Sequence, residues 1–328
     1  MPIYQSSTFV QPSATEFQEY DYTRSGNPTR SALEKLVAGM EGAHAAFAFT
    51  SGMAALSCMT RLVKAGDEII CNADIYGGMY RLLTKVATRQ GITVKFVQIW
   101  NLEEVKKAMT SKTKIVHIES PSNPLMMVTD IRALSKIVHE RGALLTVDNT
   151  ILTPLLMKPL ELGADVVVHS ATKFFGGHAD VMSGFVCCKT EELSKQIYFH
   201  QNAEGTGLAP FDCWLVLRGI KTMAVRIERG MSNTVEVAKF LAAQPIVKKA
   251  VRYDLQMSQS KGAGVLLSFE TGNVELSQRI VSALKIFKIT VSFGGCSSVV
   301  EMPSVLSHAS IPKDEQAGIP CKPPSRSR

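Results

Sequence analysis

With 328 residues, 45% of them hydrophobic and 20% charged, the chain can bury a large core and has the make-up of a globular protein. No apolar run reaches the length of a bilayer, which excludes a protein built of membrane-spanning helices. The net charge of +7 raises nucleic acid as a partner. Its Lys and Arg are interleaved with acids, however, and no basic helix alternates with aromatics, so solvated faces and a pocket for a phosphate-bearing small molecule explain the charge better.

Residues 1–30 carry many turn formers and no periodicity, ending in "YDYTRSGNPTR", and predict an extended arm. Met1 is followed by Pro-Ile-Tyr-Gln with no basic leader, which predicts a cytoplasmic protein, or a plastid one if an upstream transit peptide is missing. "SALEKLVAGMEG" places Leu33, Leu36, Val37 and Met40 on one face between Ser31 as N-cap and a terminal Gly, and predicts a helix.

Strands and helices then alternate. "AAFAFT", "DEIICN", "TVKFVQI", "TKIVHIES", "ALLTVDN", "ADVVVHS" and "SGFVCCK" read as strands. "MAALSCMTRLV", "YRLLTKVATRQG", "LEEVKKAMT" and "DIRALSKIVHERG" read as helices between them. Near-continuous apolar strands in this alternation predict an α/β domain, a mostly parallel sheet covered on both faces, over residues 31–219. Two helices follow in "APFDCWLVLRGIKTMAVRIERGMSNTVEVAKFLAAQ". "GVLLSFET" and "TVSFGG", strand-like around the helix "ELSQRIVSALKIF", predict a smaller α+β unit over 220–312. The Pro- and Ser-rich residues 313–328 predict a disordered tail. Cysteines at 58, 71, 187, 188, 213, 296 and 321 show no CxxC, and the histidines no ligand spacing, which argues for reduced thiols and against a metal site.

Ligands of open α/β sheets bind beyond the carboxyl ends of the strands, and three such ends carry chemistry. Ser51, Gly52 and Met53 open a helix whose free N–H groups suit a phosphate, although Ser-Gly before a helix is also ordinary capping. Asp148 ends an apolar strand and needs a cation or donors there; an Asp-Asn turn is an equal alternative. Ser170, Thr172 and Lys173 end another, and a lysine is rarely buried unpaired. Together they are the parts of a pyridoxal phosphate site: burial favours the neutral amine that Schiff-base formation requires, and a carboxylate keeps the ring nitrogen protonated. A snorkelling Lys173 is the competing reading.

"SATKFFGGHADVMSG" resembles the cofactor-lysine signature of the cysteine and methionine metabolism group of fold-type I pyridoxal-phosphate enzymes. "PIYQSSTF", "TSGMAAL", "DIYGG", "ESPSNP", "VDNT", "GLAPFDCWLVLRGIKTM" and "SHASIP" match the group's pattern in order, and "KGAGVLLSF" looks closest to its plant-type cystathionine β-lyases. The resemblance implies that Lys173 carries the cofactor and acts as general base, and that Asp148 faces the pyridine nitrogen. Ser170, Thr172, Gly52 and Met53 would hold the phosphate. Tyr76 would stack on the ring, Asn123 would lie near the ring hydroxyl and the substrate carboxylate, and Ser292 beside that carboxylate. On spacing alone Tyr76 is an ordinary loop aromatic and Asn123 an Asn-Pro turn residue.

Tyr22 and Arg24 would reach the phosphate of a neighbouring subunit in a homotetramer built of dimers. The implied reaction is β-elimination of cystathionine to homocysteine, pyruvate and ammonia; γ-elimination or γ-replacement uses the same residues. After "SHASIP" the group continues with a segment whose arginine binds the substrate carboxylate, where this sequence has "KDEQAGIPCKPPSRSR". Neither Arg326 nor Arg328 matches that context, so cofactor binding with weak turnover is expected, as for an impaired isoform.

Overall fold

A computed structural model describes residues 1–247, 249–250 and 254–303. In chain order the elements are α1 (Pro28–Glu41), β1 (Ala45–Phe49), α2 (Gly52–Thr60), β2 (Glu68–Asn72), α3 (Gly77–Arg81), β3 (Thr93–Val97), α4 (Leu102–Ala108) and β4 (Thr113–Glu119). Next come α5 (Ile131–Glu140), β5 (Leu144–Asp148), α6 (Thr153–Leu156), β6 (Val166–Ser170), β7 (Gly184–Cys188), α7 (Glu191–Glu204), α8 (Pro210–Ile220) and α9 (Met223–Ala242). The remainder is β8 (Lys249–Ala250), α10 (Asp254–Gln259), β9 (Phe269–Glu270), α11 (Val274–Ala283), β10 (Lys288–Ile289) and β11 (Val299–Val300).

The seven expected strands form one sheet in the order β1-β7-β6-β5-β4-β2-β3. Only β7 runs antiparallel to its neighbours, so the carboxyl ends of the other six open on one edge. Burial on both faces explains the unbroken apolar strands. Val167, Leu145, Val147 and Ile118 join a core with Leu33 and Val37 of α1 and Leu134 of α5. Val166 and Val168 point the other way, to Ala55 and Met59 of α2 and Ile197 of α7. Successive residues of β6 thus serve opposite cores, the period of two that a strand imposes.

Some elements depart from the sequence reading. α1 begins at Pro28 rather than after Ser31: Asn27 Oδ1 accepts the Thr29 N–H at 2.9 Å, and Pro28 occupies the first helical position. The helix expected in "YRLLTKVATRQG" is α3 followed by a π-turn at Leu82–Val86 and a 3-10 turn at Ala87–Gln90. "TVSFGG" forms no strand, because Ser292 and Gly294 take φ of 80° and 94° and leave the ladder. β10 pairs instead with β11, and of "GVLLSFET" only Phe269–Glu270 pairs, with β8. Leu284, Ile286, Ile289 and Val291 are exposed in this part of the chain. Residues 304–328, which hold "SHASIP" and the expected tail, lie outside the described residues.

The arm is extended yet tied down. Phe9 N–H donates to Asp21 O and Thr23 N–H to Ser7 O, both at 2.9 Å. Buried Arg30 of α1 donates to the carbonyls of Thr23 and Arg24 at 2.8 and 2.9 Å. Its neighbour Glu34, 3.8 Å away, accepts the Ala48 N–H of β1 at 2.8 Å.

Burial pushes the Glu34 carboxyl up to about 7, against the opposing pull of Arg30 and of its hydrogen bonds. The folded state therefore keeps a proton that the unfolded chain releases, and stability falls as pH rises from about 4.5 to about 7. Glu34→Gln keeps the acceptor and removes the ionisation. Its melting temperature should gain on the wild type between pH 5 and pH 8, by on the order of 2–3 kcal/mol of relative stability. A pH-independent difference in thermal melts contradicts this assignment.

Candidate active site

The expected residues gather where the parallel strands end. Ser51 caps α2 by accepting the Ala54 N–H at 3.1 Å, which leaves the N–H groups of Gly52 and Met53 at the mouth of the helix. Gly52 lies against Ser170: a Cβ on Gly52 would fall 2.9 Å from the Ser170 Cβ and 3.1 Å from its Cα. A Cβ on Gly184 would fall 2.4 Å from the Ser51 carbonyl oxygen. The starts of α2 and β7 and the end of β6 therefore meet backbone to backbone, which only glycine permits at these two positions. Thr172 shares its hydroxyl with Ser183, accepting that residue's N–H at 3.0 Å and lying 3.2 Å from its carbonyl oxygen. The free N–H groups at the start of α2, with the Ser170 side chain against them, suit an anion, while the Thr172 hydroxyl is engaged with Ser183.

Lys173 follows in a turn closed by its own N–H on Ser170 O at 3.1 Å. The side chain is half-buried. Its amine donates to Ser292 Oγ and stands 4.9 Å from the centre of the Phe293 ring. Burial lowers its pKa, while Glu301 and Asp148 pull in the other direction. A desolvated amine with little compensating charge is a nucleophile and a base in waiting. Ser292 thus sits against the amine itself.

Asp148 ends β5, with Oδ1 accepting the Thr150 N–H at 2.9 Å. Its register partner on β4 is Glu119, so two carboxyls stand side by side at the strand ends. Burial raises both pKa values; the Asp148 charge raises Glu119 further, and Thr150, His169 and Lys173 temper the rise at Asp148. Glu119 accepts the Tyr76 N–H at 3.0 Å and also a backbone N–H from Asn123. One carboxylate thereby fixes two residues that the sequence reading treated separately. Tyr76 folds its ring over Gly78, where a Cβ would fall 2.3 Å from the Tyr76 Cε1 and 2.9 Å from Met53 Sδ.

Glu119 was not foreseen, although it ends an apolar strand in the manner of Asp148. Asp74 was missed as well. It is buried, takes the Ser122 hydroxyl and the Leu125 N–H (3.2 Å), and is pushed up to about 6 by burial. The structure does not bring every expected residue together. Tyr22 is 43% exposed, and Arg24 stacks on its ring at 5.3 Å and donates to Asn202 of α7 at 3.2 Å. No hydrogen bond of either residue reaches the Lys173 group. Among the described residues no cluster of His, Cys, Asp and Glu could hold a metal ion, and no helix is long and apolar enough to cross a membrane.

The fit to pyridoxal 5'-phosphate is chemical and steric. A desolvated amine, free helix N–H groups with a serine packed closely against them, and a carboxylate at the adjacent strand end are its three requirements. Fold and site together define a pyridoxal-phosphate-dependent enzyme of the α/β type. The family of Cys/Met metabolism PLP-dependent enzymes matches residues 1–322, and the chain belongs to it.

Two plant relatives, the chloroplastic cystathionine β-lyases of Arabidopsis thaliana and Mimosa pudica, are 53% and 54% identical to it. Each alignment covers 95% of this chain, and 69% and 70% of the respective relative. Among solved structures, a cystathionine γ-lyase from Lactobacillus plantarum complexed with L-serine superimposes with a TM-score of 0.94 at 38% identity. That match covers 97% of this chain and 86% of the other.

The glycine cradle gives a direct expectation. Gly52→Ala must push the end of β6 away, an overpacking cost of about 1–3 kcal/mol, so affinity for pyridoxal 5'-phosphate should fall roughly 10- to 100-fold. Absorbance titration of the apoprotein measures it. An unchanged dissociation constant would mean that the phosphate is held elsewhere.

Proposed function

We propose that the chain is a carbon–sulfur lyase that cleaves cystathionine by β-elimination, releasing homocysteine, pyruvate and ammonia. The observation that carries this reading is the desolvated Lys173 amine just beyond the end of β6, next to the strand that ends in Asp148, in a chain more than half identical to two plant cystathionine β-lyases. When bound, pyridoxal 5'-phosphate supplies an electron sink for the carbon bearing the substrate's amino group.

The rest falls to the chain. Gly52, Met53, Ser170 and Thr172 would hold the phosphate, and Asp148 would receive the ring N–H. Tyr76 would cover the ring, and Asn123 and Ser292 would orient the substrate carboxylate. Lys173, whose cation burial disfavours, takes the proton from Cα through its amine. The electron pair left at Cα forms a double bond to Cβ as the Cβ–S bond breaks, and sulfur leaves as a thiolate that takes up a proton. Water then hydrolyses the three-carbon remainder to pyruvate and ammonia.

γ-Elimination is the second reading, favoured by the likeness to the bacterial γ-lyase structure. It needs a further deprotonation at Cβ.

Exposed Tyr22 and Arg24 suit donation to a neighbouring copy, and we assign a homotetramer built of dimers with shared sites. A division into an arm (1–30), a cofactor domain (31–219), a smaller unit (220–312) and a tail (313–328) belongs to the same proposal. For the compartment we propose the cytoplasm, with the plastid, favoured by the chloroplastic relatives, as the alternative.

Products discriminate the two chemistries. The purified protein with cystathionine should release pyruvate and free thiol in equal amounts, and Lys173→Ala should lower the rate by at least about 100-fold. Release of 2-oxobutanoate instead transfers the assignment to γ-elimination. Release of neither oxoacid would refute the proposed lyase activity.

A further inference from the structure

The turn that carries Lys173 is gripped from two sides by parts of the chain outside the sheet. Within the turn, Gly176 N–H donates to Ala171 O and Gly177 N–H to Lys173 O, each at 2.8 Å. The carbonyl of Phe174, next to the lysine, accepts from Arg226 Nη2 of α9 at 2.8 Å. The same nitrogen donates to Gly219 O at 2.9 Å, and Arg226 Nε to Thr222 Oγ1 at 3.0 Å.

The contact is too close for any other residue at two points. Gly177 takes φ of 71°, and a Cβ there would fall 2.2 Å from the Arg226 Cζ. A Cβ on Gly219 would fall 2.2 Å from the Gly176 carbonyl oxygen. On the opposite side Gly294 seats on Lys173 itself, where a Cβ would fall 2.7 Å from its Cα. The two glycines of "KFFGG" therefore have distinct reasons: Gly176 has Val181 Cγ1 2.8 Å from where its Cβ would be, and Gly177 makes room for the guanidinium.

We propose that Arg226 is a positioning residue for Lys173: it ties the Phe174 carbonyl to the α8–α9 junction and holds the lysine's backbone where the amine meets the cofactor and substrate. The proposal rests on the reading of Lys173 given under Proposed function. An arginine suits this task because its planar fork reaches two carbonyls and a hydroxyl at once with charge-assisted bonds, which an ammonium on a flexible stem does not reproduce. The bonds join the element next to the reacting amine to the first turn of α9. A loosened turn would leave substrate binding intact and misplace the base, the kind of error to which proton transfer is most sensitive.

The test compares wild type with Arg226→Met, Arg226→Lys and Thr222→Val, the last removing the Nε acceptor together with the Thr222 hydroxyl's own 3.1 Å bond to Gly219 O while leaving the guanidinium in place. Hydrogen exchange of the peptide holding Gly176 and Gly177 is read on the apoproteins, without cofactor. It should accelerate about tenfold or more in Arg226→Met, as expected for losing hydrogen bonds to a charged group, and by less in the other two. On the holoproteins kcat should fall about tenfold in Arg226→Met with KM within about twofold, and Arg226→Lys should recover part of the loss.

If Arg226→Met does not fold, Thr222→Val decides by the same two readings. Unchanged exchange overturns the clamp, and faster exchange with unaltered kcat overturns its part in positioning. Failure of wild-type Lys173 to take a covalent cofactor label is a separate result, and it removes the reading on which the proposal rests.

Discussion

A lysine amine half out of water holds its proton less firmly than one in solution, and the rest of the site is arranged around that fact. Burial lowers the Lys173 pKa, and the two acids nearest in effect, Glu301 and Asp148, only partly offset it. The Phe293 ring stands beside the amine, and close backbone contacts frame the turn that carries it. Gly52 and Gly184 close the α2, β6 and β7 contacts, and Gly294 lies on the lysine's own Cα. Glycine at these points lets the start of α2, the end of β6 and the lysine's own turn be approached closely by neighbouring chain.

The sheet supplies the rigidity that such a site needs. β6 cannot slide, because His169, one residue before Ser170, is bonded through Nε2 to Glu41 of α1 at 2.6 Å with both side chains fully buried. Asn149, one residue after Asp148, donates to the same Glu41 oxygen at 3.3 Å. The strand ends bearing Asp148 and Ser170 are thus tied to one helix, and that helix also carries Arg30, which holds the arm, and Glu34, which holds β1. Position at the reacting end and position of the arm are set by the same α1. Glu119 extends the frame sideways by fixing the backbone of Tyr76 and Asn123 beside Asp148.

Much of this was legible in the sequence because parallel strands buried on both faces are unbroken apolar runs. A charged or hydroxyl residue at the end of such a run then announces the functional edge. Lys173, Asp148 and Ser170 were visible in this way, and the family resemblance added Tyr76, Asn123 and Ser292. What escaped depended on contacts distant in sequence. Glu119 ends its strand as visibly as Asp148 does, but its bond to the Tyr76 N–H joins positions 43 residues apart. Arg226 lies 53 positions after Lys173 in an ordinary amphipathic helix and shows its connection only through the Phe174 carbonyl. The strand expected in "TVSFGG" failed because left-handed backbone at Ser292 and Gly294 serves contact with Lys173. Asn27 displaced Ser31 as the cap of α1 because the following proline fixes the first turn.

The claim on which the account turns is that the Lys173 amine, and no other, joins the aldehyde of pyridoxal 5'-phosphate. Borohydride reduction of the holoprotein followed by peptide mapping tests it in one step. The account predicts a single stoichiometric pyridoxyl mark on the peptide "HSATKFFGGHADVMSGF" at Lys173, absent from Lys173→Ala. A mark on a different lysine, or a protein that binds the cofactor and takes no mark, would contradict it.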